Sequence, residues 1–266
     1  MRNFFLILAF VVSNALSAQM TEQELSTKLD SVLTEGNLLY KYEKSAWVST
    51  DLAQSNKKIK TDFGGYLTYQ DNEKFNTIIL SKTNGNCIAE YAYSNKFKKP
   101  DSSSLEEREL NAKEKNLLDM RDKILEQLSD PKYEVVIPDG FSLNFILIPQ
   151  TTGYKLYVIT GTSKSNIIPF GNDYCFFTDN EGKITTWQKF HSGFIPTQTK
   201  FDGNQVIEIT HSHTRANPLM SATEICTFKL YGALCGLKEF SVFSPAIGKF
   251  MKYNLKKDKI TTERLF

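Results

Sequence analysis

Residues 133–190 repeat one pattern, in which short segments rich in β-branched and aromatic residues (YEVVI, LNFILI, YKLYVIT, YCFFTD, KITTWQKF) are separated by turn residues at Thr152-Gly153 and around Asn180 to Gly182. Segments of this length and composition pack as strands, and a sheet is the one arrangement that accommodates all of them. Downstream, residues 205–213 read as another strand, residues 220–235 as a helix apolar nearly all round, and EFSVFS and KFMKYNL as two closing strands.

The N-terminal part is organised differently. Thr21 and Glu24 have the T-x-x-E spacing of a capping box, and Leu25, Leu29, Val32 and Leu33 follow at helical spacing before Gly36, where a first helix is expected to end. Residues 37–55 read as a second helix, and residues 66–69, 77–80 and 87–93 as strands, with Asn84-Gly85 as a hairpin turn. The polar run KKPDSSS then leads into a charge-rich helix over residues 105–128, so it is the candidate boundary between two units. The reading is an α+β chain with a leader at 1–18, a small N-terminal α+β module at 19–103 and a larger domain at 104–266, a mixed sheet flanked by helices.

The leader is read from MRNFFLILAFVVSNALSAQ: one positive charge at Arg2, an apolar run over residues 4–12, then small residues. That is the pattern of a secretory signal peptide, so the mature chain is expected to be exported, to the periplasm or the medium. No further stretch has the roughly 20 apolar residues a membrane helix needs, and stable membrane insertion is not expected. The formal charge is only +2, with basic and acidic residues interspersed along the chain, which excludes the concentrated basic face that nucleic acid requires. Four cysteines could pair in an oxidising compartment, but none forms a C-x-x-C motif. Cys226 and Cys235 would lie on opposite faces of one helix and are read as buried free thiols.

The chemistry-bearing stretch is HSHTRANPLMSATE, residues 211–224. In a strand over 205–213 the period of two places Ile207, Ile209, His211 and His213 on one face, so that both imidazoles can reach one ion. Ser221 and Glu224 have the S-x-x-E spacing of a capping box, yet Glu224 also lies on the helical stripe of Phe228 and Tyr231, where a buried carboxylate needs a partner. Two imidazole nitrogens and one carboxylate oxygen leave the fourth position of a tetrahedral Zn2+ open, the arrangement of a hydrolytic site.

The spacing H-x-H, seven residues, S-x-x-acid resembles the JAMM (MPN-plus) metalloprotease motif over residues 205–255. The resemblance implies a JAMM, cytidine-deaminase-like C-terminal half, with His211, His213 and Glu224 as zinc ligands and Ser221 helping to hold the oxyanion of a tetrahedral intermediate. Glu224 stands where that family has aspartate. The family also uses an upstream acid as base toward the attacking water; Asp173 is the leading candidate here, Glu134 the alternative, and an absent base the third possibility. The implied function is an exported zinc-dependent metallopeptidase acting on peptide or isopeptide bonds of a peptide or protein substrate; the alternative is a non-catalytic secreted binding module of the same fold. The segment GNDYCFFTDNEGKITTWQKFHSGFIP also resembles a group of exported bacterial proteins of unassigned function. His191, within it, is read as a structural histidine of a strand, with a supporting role near the metal as the lesser reading.

If the leader is cleaved, mass spectrometry of the exported protein finds a mature chain that starts near Gln19; retention of residues 1–17 in a membrane fraction would contradict this.

Overall fold

The computed structural model describes residues 20–265, so the leader lies outside the described residues. The fold is α+β. Helix α1 (Glu22–Ser55) and the short α2 (Lys57–Thr61) precede β1 (Phe63–Asp71), β2 (Lys74–Ser81), β3 (Cys87–Tyr93) and β4 (Ser102–Ser104), which form an antiparallel sheet in that order. Helix α3 (Ala112–Gln127) leads to β5 (Ser142–Pro149), β6 (Tyr154–Gly161), β7 (Ile167–Gly171), β8 (Tyr174–Thr178) and β9 (Ile184–Lys189). Strands β5, β6, β8 and β9 make a second antiparallel sheet, while β7 pairs with β10 (Phe194–Gln198). After the small hairpin of β11 (Lys200–Phe201) and β12 (Asn204–Gln205) come β13 (Thr210–Ser212), α4 (Ala222–Tyr231), β14 (Glu239–Ser244), β15 (Lys249–Asn254) and β16 (Lys259–Arg264). The last sheet runs β13-β14-β15-β16, and only its β13–β14 pair is parallel.

Gly36 does not end the first helix. Helix α1 runs through it without a break for 34 residues, and its Thr21–Glu24 capping box forms as expected. The glycine serves a crossing: a Cβ at residue 36 would come within 2.6 Å of Ile225 Cβ and 3.0 Å of Ala222 O, so α1 and α4 pack where this side chain is missing. A helix-breaking residue read locally is thus explained by tertiary contact.

Other expectations shift for similar reasons. The YEVVI segment is no strand; a 3-10 turn over Pro131–Tyr133 is followed by Glu134 at φ 54°, which breaks the alternation, leaving Val136 and Ile137 59% and 67% exposed. Helix α3 starts at a capping box of Asn111 and Glu114, later than expected, because Arg108 is held in an extended segment by a bridge to Cys87 and by ion pairs to Glu90 and Glu114, both at 2.8 Å. The polar run expected as a boundary supplies edge strand β4. One continuous apolar core includes Leu39 and Tyr42 of α1, Ile79 of β2, Phe170 of β7, Phe228 of α4 and Met251 of β15. All four cysteines are buried and unpaired.

The Gly36 crossing yields a test. Alanine gains about 1 kcal/mol of helix propensity over glycine, but forcing a methyl into a filled crossing costs roughly 1–3 kcal/mol. Gly36→Ala is expected to lower stability by about 1 kcal/mol in urea unfolding; a stabilised variant would show that the crossing relaxes freely.

Candidate metal centre

A parallel pair of strands requires a crossover, and here the connection from β13 to β14 is α4. This connectivity brings the C-terminal end of β13 and the N-terminus of α4 into contact. His211 lies in β13, and His213 continues its ladder by donating its amide to Phe243 O at 2.9 Å. Glu224 is the third residue of α4. The third contribution comes from the other sheet, where the bend after β9 carries His191 and is tied back by the Phe190 amide to Asp173 O at 3.1 Å, just before β8.

His191, His211, His213 and Glu224 each present one ligand atom, and these four atoms lie within 4.8 Å of one another. The Nε2 atoms of His211 and His213 stand 2.5 and 3.1 Å from Glu224 Oε1, His191 Nε2 stands 3.3 Å from the same oxygen, and the Nε2 atoms of His191 and His213 are 3.1 Å apart. Ligands at about 2.1 Å from a metal are spaced about 3.0–3.4 Å apart in octahedral or tetrahedral coordination, so three of these four distances fit edges around one ion. Glu224, His191 and His213 are 1%, 4% and 5% exposed.

Hydrogen bonds at the far side of the rings strengthen the case. His213 Nδ1 faces the Asn217 carbonyl oxygen at 3.1 Å, and His191 Nδ1 faces Asp173 Oδ1 at 2.7 Å. Each is an acceptor, so each Nδ1 carries the hydrogen and each neutral ring turns an Nε2 lone pair inward. Lone pairs 3.1 Å apart beside a carboxylate oxygen repel unless a cation stands between them. That cation is a proton or a metal ion. The buried His-His-His-Glu group can therefore hold a metal ion.

Electrostatics agree with this geometry. Burial alone would lower the His191 imidazole, but the carboxylates of Asp173 and Glu224 outweigh it and push it up to about 11. Burial alone would raise the Glu224 carboxyl, but His213, His191 and His211 hold it well below the usual carboxylate range. In the metal-free protein the pocket therefore retains protons at neutral pH.

Capping and facing the histidines prove compatible. Glu224 Oε2 accepts from the Ser221 amide at 2.6 Å, while Ser221 Oγ accepts from the Glu224 amide at 3.2 Å, which completes the capping box. Oε1 remains for the imidazoles. Ser221 Oγ also lies 3.0 Å from Glu224 Oε2 and 2.8 Å from Thr223 Oγ1, so its hydroxyl is committed within the cap. Asp173 engages both oxygens, one with His191 and one with the Thr223 hydroxyl, and reaches the cluster through His191. Glu134 is apart from it, 62% exposed and paired with Lys189 at 2.6 Å. The expected strand over residues 205–213 forms only in part, with Gln205 in β12 and Thr210–Ser212 in β13; Ile207 between them is 88% exposed although Ile209 and His213 are buried. His191, taken as structural, belongs to the cluster. Its one sequence signal was that it is the third of only three histidines.

Because His191 holds its proton up to about pH 11 in the metal-free site, metal must displace it at neutral pH, and affinity must rise with pH. Titration calorimetry between pH 6 and 8 is expected to show zinc affinity rising about tenfold per pH unit for one displaced proton. A flat profile would remove His191 from the ligand set.

No family model, no curated protein and no solved structure matches this chain.

Proposed function

We propose that the chain is an exported zinc-binding protein whose centre is filled by four protein ligands, His191, His211, His213 and Glu224, and that it works as a non-catalytic binding module. The observation that supports this reading is the convergence of four donors from two sheets and a helix. Four protein ligands complete a tetrahedral zinc, as structural sites do, whereas hydrolytic sites keep one position open. Imidazole with carboxylate suits several divalent metals, and among them zinc takes four such ligands in a tetrahedral site. Bound between the β9 bend, β13 and α4, it would tie together segments otherwise joined by packing alone.

The second reading, a JAMM-like zinc hydrolase of peptide or isopeptide bonds, is favoured by the motif H-x-H, seven residues, S-x-x-E and by the 2.7 Å contact between Asp173 and His191. In that reading His211, His213 and Glu224 would hold the zinc, which would supply Lewis-acid activation of water, while His191 would accept the proton and Asp173 would fix its ring. Asp173 is then a positioning residue, since both of its oxygens are engaged with His191 and Thr223.

Elemental analysis of the wild type and single variants separates the two. With four ligands, His191→Ala loses zinc as His213→Ala does, and no peptide or isopeptide substrate is cleaved. In the hydrolase, His191→Ala keeps its zinc and loses cleavage. A wild type that takes up no zinc from excess metal would defeat both.

Glu224→Gln tests the carboxylate. Glutamine can still accept the Ser221 amide, so without metal the variant should lose less than about 1 kcal/mol. Its neutral amide is a poor zinc ligand, and the zinc-dependent rise in melting temperature should largely vanish. Equal zinc stabilisation of wild type and variant would exclude Glu224 from the centre.

A further inference from the structure

Glu43, in the middle of α1, is a buried acid that the metal centre does not use. It is 5% exposed, and among the described residues its one hydrogen bond is from Asn144 Nδ2 to Oε2 at 2.8 Å. None of the ion pairs among those residues includes it. Its sequence neighbour Lys44 instead places Nζ over the Trp47 ring, 5.0 Å from the centroid. A buried carboxylate without a counter-charge is costly, and burial, opposed only by the Asn144 hydrogen bond, pushes the Glu43 carboxyl up to about 7, so a cation arriving beside it would hold it ionised.

The carboxylate lines a cavity of about 320 Å³, together with Trp47, Tyr66, Tyr231, Asn144 and Ser142. That volume sits at the small end of the roughly 300–1,000 Å³ of ligand pockets. No lysine or arginine lines it. Burial, then the Glu43 charge, push both the Tyr66 phenol and the Cys226 thiol up, so both neighbours stay neutral and neither competes with Glu43 for a cation. The Tyr231 hydroxyl is committed to the Thr162 amide at 3.0 Å, which leaves its ring as the surface it offers. A larger hollow of ≈ 870 Å³ over Glu35 differs in this respect, because Lys155 at 2.7 Å and the Tyr157 hydroxyl already satisfy that acid.

We propose that this cavity is a binding site for a small organic ammonium, with Glu43 as counter-ion and the rings of Trp47, Tyr66 and Tyr231 packed around the alkyl part. An ammonium donates to the Glu43 oxygen that Asn144 leaves free, and aromatic faces attract cations where water is excluded. The site lies beside the C-terminal end of α4 and does not depend on the candidate metal centre at its N-terminus, since Glu224 and Tyr231 stand seven residues apart along that helix.

The test uses n-butylammonium chloride as probe and n-butanol as its uncharged counterpart. The chain has two tryptophans, and Trp187 packs with Tyr133 and Phe176 in a separate cluster, so Trp187→Phe makes Trp47 the sole fluorescent reporter. In this background n-butylammonium should give a saturable change in Trp47 emission, and n-butanol at least about tenfold weaker binding. Glu43→Gln keeps an acceptor for Asn144 and should weaken n-butylammonium by a similar factor while its circular dichroism stays that of the wild type. Equal affinity for the two probes overturns the proposal without recourse to any variant at Glu43, as does the absence of saturable binding. An unchanged affinity in a folded Glu43→Gln variant does the same.

Discussion

The carboxylate of Glu224 is where the architecture and the chemistry of this protein meet. A charge with 1% exposure is tolerable only if both oxygens are engaged. One oxygen accepts the Ser221 amide and so fixes the start of α4; the other faces three imidazoles. The helix start thereby places the acid where β13 delivers His211 and His213, and the histidines supply the positive charge or the metal that the acid requires. Each half of the arrangement makes the other affordable in free energy.

That junction is held from outside by α1. The long helix crosses α4 at Gly36, against Ala222 and Ile225, within one turn of Glu224. A side chain at the crossing would press on the turn that carries the acid facing the imidazoles. Farther along α4, α1 contributes Glu43 and Trp47 to the cavity that Tyr231 lines. One helix pair thus supports two sites of opposite electrostatic character: an acid amid imidazoles at one end, and an acid without a counter-charge at the other.

The parallel β13–β14 pair, in sheets otherwise antiparallel, has a specific consequence. A hairpin would have returned the chain at once, whereas the crossover places a helix N-terminus at the end of the histidine strand. The His191 bend then closes the cluster from the second sheet, with Asp173 and Thr223 linking the bend to the first turn of α4. The centre spans the seam between two sheets and a helix, and an ion bound there would cross-link them.

Local signals in the sequence determined much of this. Capping boxes at Thr21 and Ser221 form where their spacing placed them, because the hydrogen bonds involved reach only three residues. Strands β5, β6, β8 and β9 and the closing β14 and β15 follow from side-chain composition, while β7 escaped it; the pairing of His211 and His213 with Glu224 follows from their nearness along a strand, a loop and a helix start. What the sequence could not decide depended on contacts between distant segments. Gly36 read as a stop because the Ile225 side chain that needs its empty space lies 189 positions away in the chain, as its 2.6 Å approach makes plain. The strand read over residues 205–213 is interrupted at residues 207–208: Val206 still donates to Thr199 O at 2.9 Å and Ile209 O still accepts from Ser241 of β14 at 3.0 Å, but the two residues between them make no such pair among the described residues. His191 joined the cluster only through the fold, since neither helical nor strand periodicity relates residue 191 to residue 211; the bend after β9, tied to Asp173 and through it to Thr223 of α4, brings them together.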